Sequence, residues 1–76
     1  MTKIEFLEKW SEDVLKRVRV IVGSKSVLAY SINCYEENGI WVISRIGERQ
    51  EGTIIYEGEE NFIFEKLNKI VCGKLE

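Results

Sequence analysis

Hydrophobic residues in the first part of the chain recur at spacings of three and four, which is the period of an amphipathic helix. Thr2 followed by Glu5 has the spacing of a capping box, so we predict a helix over residues 3–16. Residues 17–22 are rich in β-branched side chains and fit either more helix or a short strand. The apolar stripe consists of Ile4, Leu7, Ser11, Val14, Val18 and Ile21, with Leu15 and Val22 beside it.

A period of two replaces this pattern from Leu28 onward, which indicates β-strands. Asn38-Gly39 lies between two alternating runs and predicts a two-residue hairpin turn, since both residues tolerate positive φ. This turn would pair Glu37 with Ile40. The same register pairs Tyr35 with Val42 and Cys34 with Ile43. The side chains expected on the core face are Leu28, Tyr30, Ile32, Cys34, Trp41 and Ile43.

A third strand is predicted over residues 53–57, followed by a helix over residues 59–71 that ends at Gly73. The predicted buried stripe of this helix is Ile63, Leu67, Ile70 and Val71, with Phe64 flanking it. We therefore predict one α+β domain spanning residues 1–76. Its expected order is α-β-β-β-α, a three-stranded antiparallel meander with an N-terminal and a C-terminal helix on one face.

The residues present argue against catalysis. The chain has no histidine, the commonest general base and a frequent metal ligand. Its two cysteines, Cys34 and Cys72, are too few for a disulfide scaffold or a zinc site. We predict no enzymatic activity, no cofactor and no metal. The charged N-terminus and the absence of a long apolar run predict a cytoplasmic protein without a signal peptide or membrane contact.

Charge is unevenly distributed along the sequence. Residues 36–60 contain seven glutamates against Arg45 and Arg49, whereas the segments on either side carry a small positive charge. Such an acidic region favours a basic partner and repels phosphate backbones. The alternative is that solvated loops simply collect glutamate.

The predicted element order also occurs in double-stranded-RNA-binding domains, which need basic residues at the start of the last helix. Here that position carries Glu57, Glu59 and Glu60. Three carboxylates would oppose a phosphate backbone, and we therefore predict no nucleic-acid binding.

The segments YSINCYEENGIWVISRIGERQEGTI and YEGEENFIFEKLNKIV resemble small immunity proteins that bacteria make against polymorphic or contact-delivered toxins. The likeness consists of a strand, an acidic Glu-Asn-Gly turn, a tryptophan early in the next strand, Glu48-Arg49 in the second turn, and a closing helix with an acidic start. The second turn is longer than a compact Glu-Arg-Gly, and Asn61 replaces the usual alanine.

This resemblance implies a cytoplasmic protein that binds a cognate, basic toxin domain and blocks it without chemistry of its own. If the toxin is a nuclease, its basic substrate groove would be the target of the glutamates. Tyr35 and Tyr56 are candidate anchors, and the alternative is ordinary packing on the half-exposed sheet. Glu48 and Arg49 fit a simple ion pair within their turn. The predicted partner-binding residues are Tyr35, Glu36, Glu37, Glu48, Arg49, Glu51, Tyr56 and Glu57.

A competing interpretation is a small regulatory or structural module that self-associates as a homodimer. Its basis is an apolar set predicted on the sheet face opposite the helices. That set consists of Tyr35, Ile40, Val42 and Ile46.

Overall fold

The computed structural model describes residues 1–23, 31–47 and 52–75. These ranges contain three helices and four strands in the order α-α-β-β-β-β-α. The elements are α1 (Lys3–Lys9), α2 (Glu12–Val18), β1 (Val20–Val22), β2 (Ile32–Glu37), β3 (Ile40–Ile46), β4 (Gly52–Gly58) and α3 (Glu60–Leu75).

The N-terminal helical region is two helices, so the prediction of one helix over residues 3–16 is wrong. The capping box at Thr2 and Glu5 is confirmed. However, Trp10 leaves the helix with an extended backbone, and the Ser11 hydroxyl accepts a hydrogen bond from the Val14 N–H to begin α2. Serine favours an N-cap because its oxygen satisfies an N–H that lacks a helical partner. Ser11 is therefore a boundary and not part of an apolar stripe.

For residues 17–22 the sequence allowed either more helix or a short strand, and the structure contains both. Arg19 takes the left-handed conformation at φ 56° and ends α2. The chain then forms β1, which pairs with β2 in parallel, with Val20 opposite Ile32 and Val22 opposite Cys34. The sheet is consequently four-stranded and mixed, in the order β1-β2-β3-β4. The predicted three-stranded meander with two helices is wrong.

The central hairpin agrees with its predicted register. Cys34 pairs with Ile43, Tyr35 with Val42, and Glu37 with Ile40. Asn38 and Gly39 both have positive φ, as the turn requires. The strand predicted at 53–57 is also confirmed as β4, with a register shift near Ile43 and Ser44 where it pairs with β3. Leu28 and Tyr30, predicted on the core face, lie outside the described residues.

All three helices share one core with one face of the sheet. The buried cluster consists of Phe6, Leu15, Val20, Cys34, Ile43, Ile63, Phe64, Leu67 and Val71. The burial of Phe6 was not predicted, because the predicted apolar stripe began with Ile4, whose side chain is 69% exposed. Ile63, Leu67 and Val71 were predicted correctly.

The last helix continues through Gly73 to Leu75, which corrects its predicted end. Side-chain contacts connect this helix to the end of α1 and to β3. The Trp10 indole N–H donates to Asn68 Oδ1 at 3.0 Å, and the Trp41 ring packs edge-on against Phe64 at 5.0 Å between ring centroids. Trp41 is thus part of the packing around the core, as the sequence suggested.

Candidate functional site

The sheet separates the helical core from a second face that points away from the helices. We call this surface the open face and define it by the side chains of β2, β3 and β4 that alternate with the core positions. Its residues are Asn33, Tyr35, Glu37, Ile40, Val42, Ser44, Ile46, Gly52, Ile54 and Glu57.

A pocket of about 360 Å³ lies on the open face. Its volume is near the lower end of the range for ligand pockets, roughly 300–1,000 Å³. It therefore fits a small ligand or a single side chain. The lining residues are Asn33, Tyr35, Glu37, Ser44, Ile46, Gly52 and Ile54.

Asn33 is the most unusual group in this pocket. Its side chain is only 4% exposed, and its Oδ1 atom is shielded from solvent yet accepts no hydrogen bond from any group in the described ranges. A buried amide oxygen without a partner loses its hydration and regains nothing, which costs about 1–3 kcal/mol. Because this oxygen is shielded from solvent, a ligand in the pocket would not reach it in this conformation, and the cost is one of stability.

The surroundings of Asn33 are largely apolar. Ile46 is buried, and Ile54 is 55% exposed at the pocket edge. Ser44, which pairs with Asn33 across the strands, is also buried. The pocket thus combines hydrocarbon walls with a few inward polar groups, as small-molecule and side-chain sites do.

The four apolar residues predicted for self-association do lie together on the open face. Their side chains are less exposed than that hypothesis assumed. Val42 and Ile46 are buried, and Tyr35 is half-buried. Only Ile40, at 46%, is largely exposed among the four.

The predicted partner-binding residues divide between the two sides of the sheet. Tyr35 and Glu37 line the pocket, and Glu57 pairs with Val42 on the same open face. The structure thus places these three residues on one face of the sheet. Among the ten described residues of the open face two are glutamates and none is a lysine or arginine, so the described part of this surface is acidic.

Glu36 and Tyr56 lie on the helical side. Glu36 pairs with Trp41, and its Oε1 accepts the Gly39 N–H at 3.0 Å, so it stabilises the turn. The Tyr56 ring contacts Phe62 at 6.3 Å between centroids. Lys66 Nζ lies 5.3 Å from the Tyr56 ring centroid, within the range of a cation–π contact.

The second turn was expected to contribute Glu48, Arg49 and Glu51. These residues lie outside the described ranges, so their predicted role stays a prediction.

A second crevice, of about 350 Å³, lies on the helical side. Its polar groups are Arg45 and Lys74, and both are exposed. Its remaining lining residues are apolar: Val18, Ile32, Ile55 and Ile70.

The cysteines differ in environment, and both are free. Cys34 is fully buried in the core, and this burial raises the pKa of its thiol to about 12, with a small opposing effect from Lys3. A thiol with such a pKa remains protonated at neutral pH and is a poor nucleophile. Cys72 is half-buried near the end of α3.

Within residues 1–23, 31–47 and 52–75 no cluster of three or more His, Cys, Asp or Glu side chains is arranged to hold a metal ion. No helix found there has the length and apolar character needed to cross a bilayer.

Comparison with known proteins gives no assignment: no family model, curated protein or solved structure matches the chain.

Asn33 was not singled out from the sequence, although a signal was present. It alternates with Ile32 and Cys34 in a predicted strand, which already places it on the face opposite the core. Its burial was not predictable because alternation gives the direction of a side chain and not what surrounds it.

Proposed function

We propose that this chain is an immunity protein that binds and neutralises a cognate toxin domain by direct contact, without catalysis. The observation that carries the proposal is the open face, where Tyr35, Glu37 and Glu57 accompany a pocket and exposed isoleucines. An aromatic residue, apolar area and acidic rim groups together are typical of a protein-binding surface. The resemblance of residues 30–71 to immunity proteins supports the same function.

The acidic character of the open face favours a basic toxin. Glutamates at the edge of an interface mainly accelerate association with a positively charged partner, and this effect decreases with salt. A nuclease domain is one such partner, because its substrate groove must attract phosphates. The proposal therefore includes binding that weakens as ionic strength rises.

Co-expression tests the function. The chain is produced together with the C-terminal domain of the protein encoded immediately upstream, and growth and co-purification are measured in the same cells. Rescue of growth with a stoichiometric complex is the expected result. A harmless upstream domain, or one that kills and does not co-purify, would contradict the immunity role.

Charge reversal then locates the interface. Glu37→Lys with Glu57→Lys changes the open face, whereas Glu8→Lys with Glu12→Lys makes the same change in net charge on exposed helical residues. We expect the first pair to weaken toxin binding and its salt dependence, and the second pair to leave both nearly unchanged. Equal effects would show that only net charge matters.

Self-association is the second candidate, and the exposed side chains of Ile40 and Ile54 favour it. Two copies meeting through the open face would remove both residues from water. Sedimentation at high micromolar concentration tests this: a dimer that Ile54→Lys converts to a monomer supports it. A monomeric wild-type chain contradicts it.

A further inference from the structure

We propose that Asn38 is a site of spontaneous deamidation, and that the folded hairpin turn and the carboxylate of Glu36 hold it unreactive in the native protein. The reaction needs only Asn38, Gly39 and water. The inference is independent of the proposed function.

Deamidation of an asparagine begins with attack by the backbone nitrogen of the next residue. Here the Gly39 nitrogen loses its proton to hydroxide and forms a bond with Asn38 Cγ. The bond between Cγ and Nδ2 breaks, and the side-chain nitrogen takes a proton from water and leaves as ammonia. Water then opens the five-membered imide at either carbonyl, which gives aspartate or isoaspartate. Glycine after asparagine favours ring closure, because it has no side chain to obstruct the attack.

The backbone of the turn keeps the reacting atoms apart. Asn38 and Gly39 have φ of 53° and 83°, the pattern of a type I′ turn, in which ψ of the first central residue is about 30°. At this ψ the Gly39 nitrogen lies nearly opposite Cβ about the Cα–C bond of Asn38. Ring closure requires these two atoms to be nearly eclipsed. The turn must therefore open before the ring can form.

The carboxylate of Glu36 restrains the attacking nitrogen directly. Its Oε1 accepts the Gly39 N–H at 3.0 Å, in a charge-assisted hydrogen bond. This bond must break before the nitrogen can turn towards Cγ. The attacking form of the nitrogen is an anion, which a neighbouring carboxylate disfavours. Residues 36–40 are all exposed to water, so geometry and charge protect Asn38 and exclusion of water does not.

The product would change the hairpin. Isoaspartate carries the main chain through its former side chain, so it adds one methylene group to the loop. The pairing from Glu37–Ile40 to Cys34–Ile43 depends on a loop of two ordinary residues, and the longer loop no longer matches it. Deamidation would therefore leave a permanent chemical record of turn opening.

The first test compares native and unfolded wild type at pH 8. Intact mass follows deamidation of the full chain, and peptide mapping locates the site and separates aspartate from isoaspartate. Unfolding in concentrated guanidinium chloride removes the turn and the Glu36 contact. We expect the native rate at Asn38 to be lower than the unfolded rate by about tenfold or more. Equal rates in the two solvents overturn the proposal.

Two variants test the role of Glu36. Glu36→Ala removes the acceptor of the Gly39 N–H, whereas Glu8→Ala removes the same charge from an exposed position of α1. We expect Glu36→Ala to accelerate native deamidation at Asn38 about tenfold, the effect of losing one hydrogen bond to a charged group. Glu8→Ala should leave the rate unchanged, and all three chains should react equally in guanidinium chloride. Equal native rates for the wild type and Glu36→Ala overturn the protective role.

Asn68→Leu separates opening of the turn from unfolding of the whole domain. This substitution removes the acceptor of the Trp10 indole N–H and leaves the turn sequence intact. We expect it to deamidate at Asn38 at close to the wild-type rate, because local opening of the turn gives access to the ring. If it accelerates the reaction as much as Glu36→Ala does for the same loss of stability in urea, the reaction passes through global unfolding. That result overturns the protective role of Glu36.

Discussion

Replacing Asn33 with leucine should make the free protein more stable, which is unusual for a change in a buried polar residue. The side chain is 4% exposed and its Oδ1 has no hydrogen-bond partner in the described ranges. Leucine has a similar size and no polar atom, so the substitution removes the desolvation penalty of about 1–3 kcal/mol. In a domain of this size each kcal/mol raises the melting temperature by about 4–8 °C.

Asn68→Leu is the matched control, because it is the same substitution at an asparagine that does have a partner. Asn68 Oδ1 accepts the Trp10 indole N–H at 3.0 Å. Its replacement leaves that N–H without its acceptor in a half-buried position, and we expect a loss of about 0.5–1.5 kcal/mol. The two variants should therefore change stability in opposite directions.

Urea unfolding followed by far-ultraviolet circular dichroism under reducing conditions measures both effects. The midpoint should rise for Asn33→Leu and fall for Asn68→Leu, with the slope m unchanged in each case. Destabilisation of Asn33→Leu by about 1 kcal/mol or more would mean that the amide makes favourable interactions. Asn33 Oδ1 would then not carry the cost of a missing hydrogen bond.

Four further predictions concern individual positions. Gly73→Ala should raise the free energy of unfolding in a urea titration by up to about 1 kcal/mol, because Gly73 lies within α3 and a Cβ there has free space; a decrease would indicate that the helix ends there. Arg19→Gly should stabilise the fold by about 0.5–1 kcal/mol in thermal unfolding, since glycine relieves the left-handed strain at φ 56°; a lower melting temperature would contradict this. At pH 8 a thiol reagent should label Cys72 in the folded protein and leave Cys34 unmodified, because burial raises the pKa of Cys34 to about 12, and equal labelling rates would refute the buried placement. The same pKa predicts that Cys34 stabilises the fold fully below about pH 9, where it is protonated in both states, and that this contribution declines as pH rises toward 12.

Local signals in the sequence predicted the hairpin correctly because its turn chemistry fixes the register. Asn38-Gly39 defines a two-residue loop, and every pair from Glu37–Ile40 to Cys34–Ile43 then follows. The same alternation placed Tyr35 and Glu37 on the face away from the helices. These features depend only on neighbouring residues.

The errors arose where distant parts of the chain decide the structure. The strand β1 lies parallel to β2, and a parallel partner is not specified by any adjacent turn. The end of α1 was missed because Ser11 fits the helical spacing and an N-cap equally well. The burial of Phe6 depends on α3, where its ring lies 5.5 Å from that of Phe64 between centroids.

The candidate site was only partly predictable for the same reason. Acidic and aromatic residues can be read from the composition. The side of the sheet that each residue faces decides its contacts: Glu36 and Tyr56 make structural contacts on the helical side, whereas Glu37 lines the pocket. The lack of a hydrogen-bond partner for Asn33 Oδ1 among the described residues is a property of the assembled pocket, and no local sequence pattern encodes it.

The sheet has a consequence for how such a chain can evolve. Within β2 and β3, residues such as Cys34 and Ile43 pack in the core, while Asn33 and Ser44, one position away, line the pocket. Substitutions at every second position can therefore change what the open face recognises without repacking the helices. In homologues with different partners, we expect the pocket positions to diverge quickly and the intervening core positions to change slowly. Two rates of substitution would then alternate along the same strand.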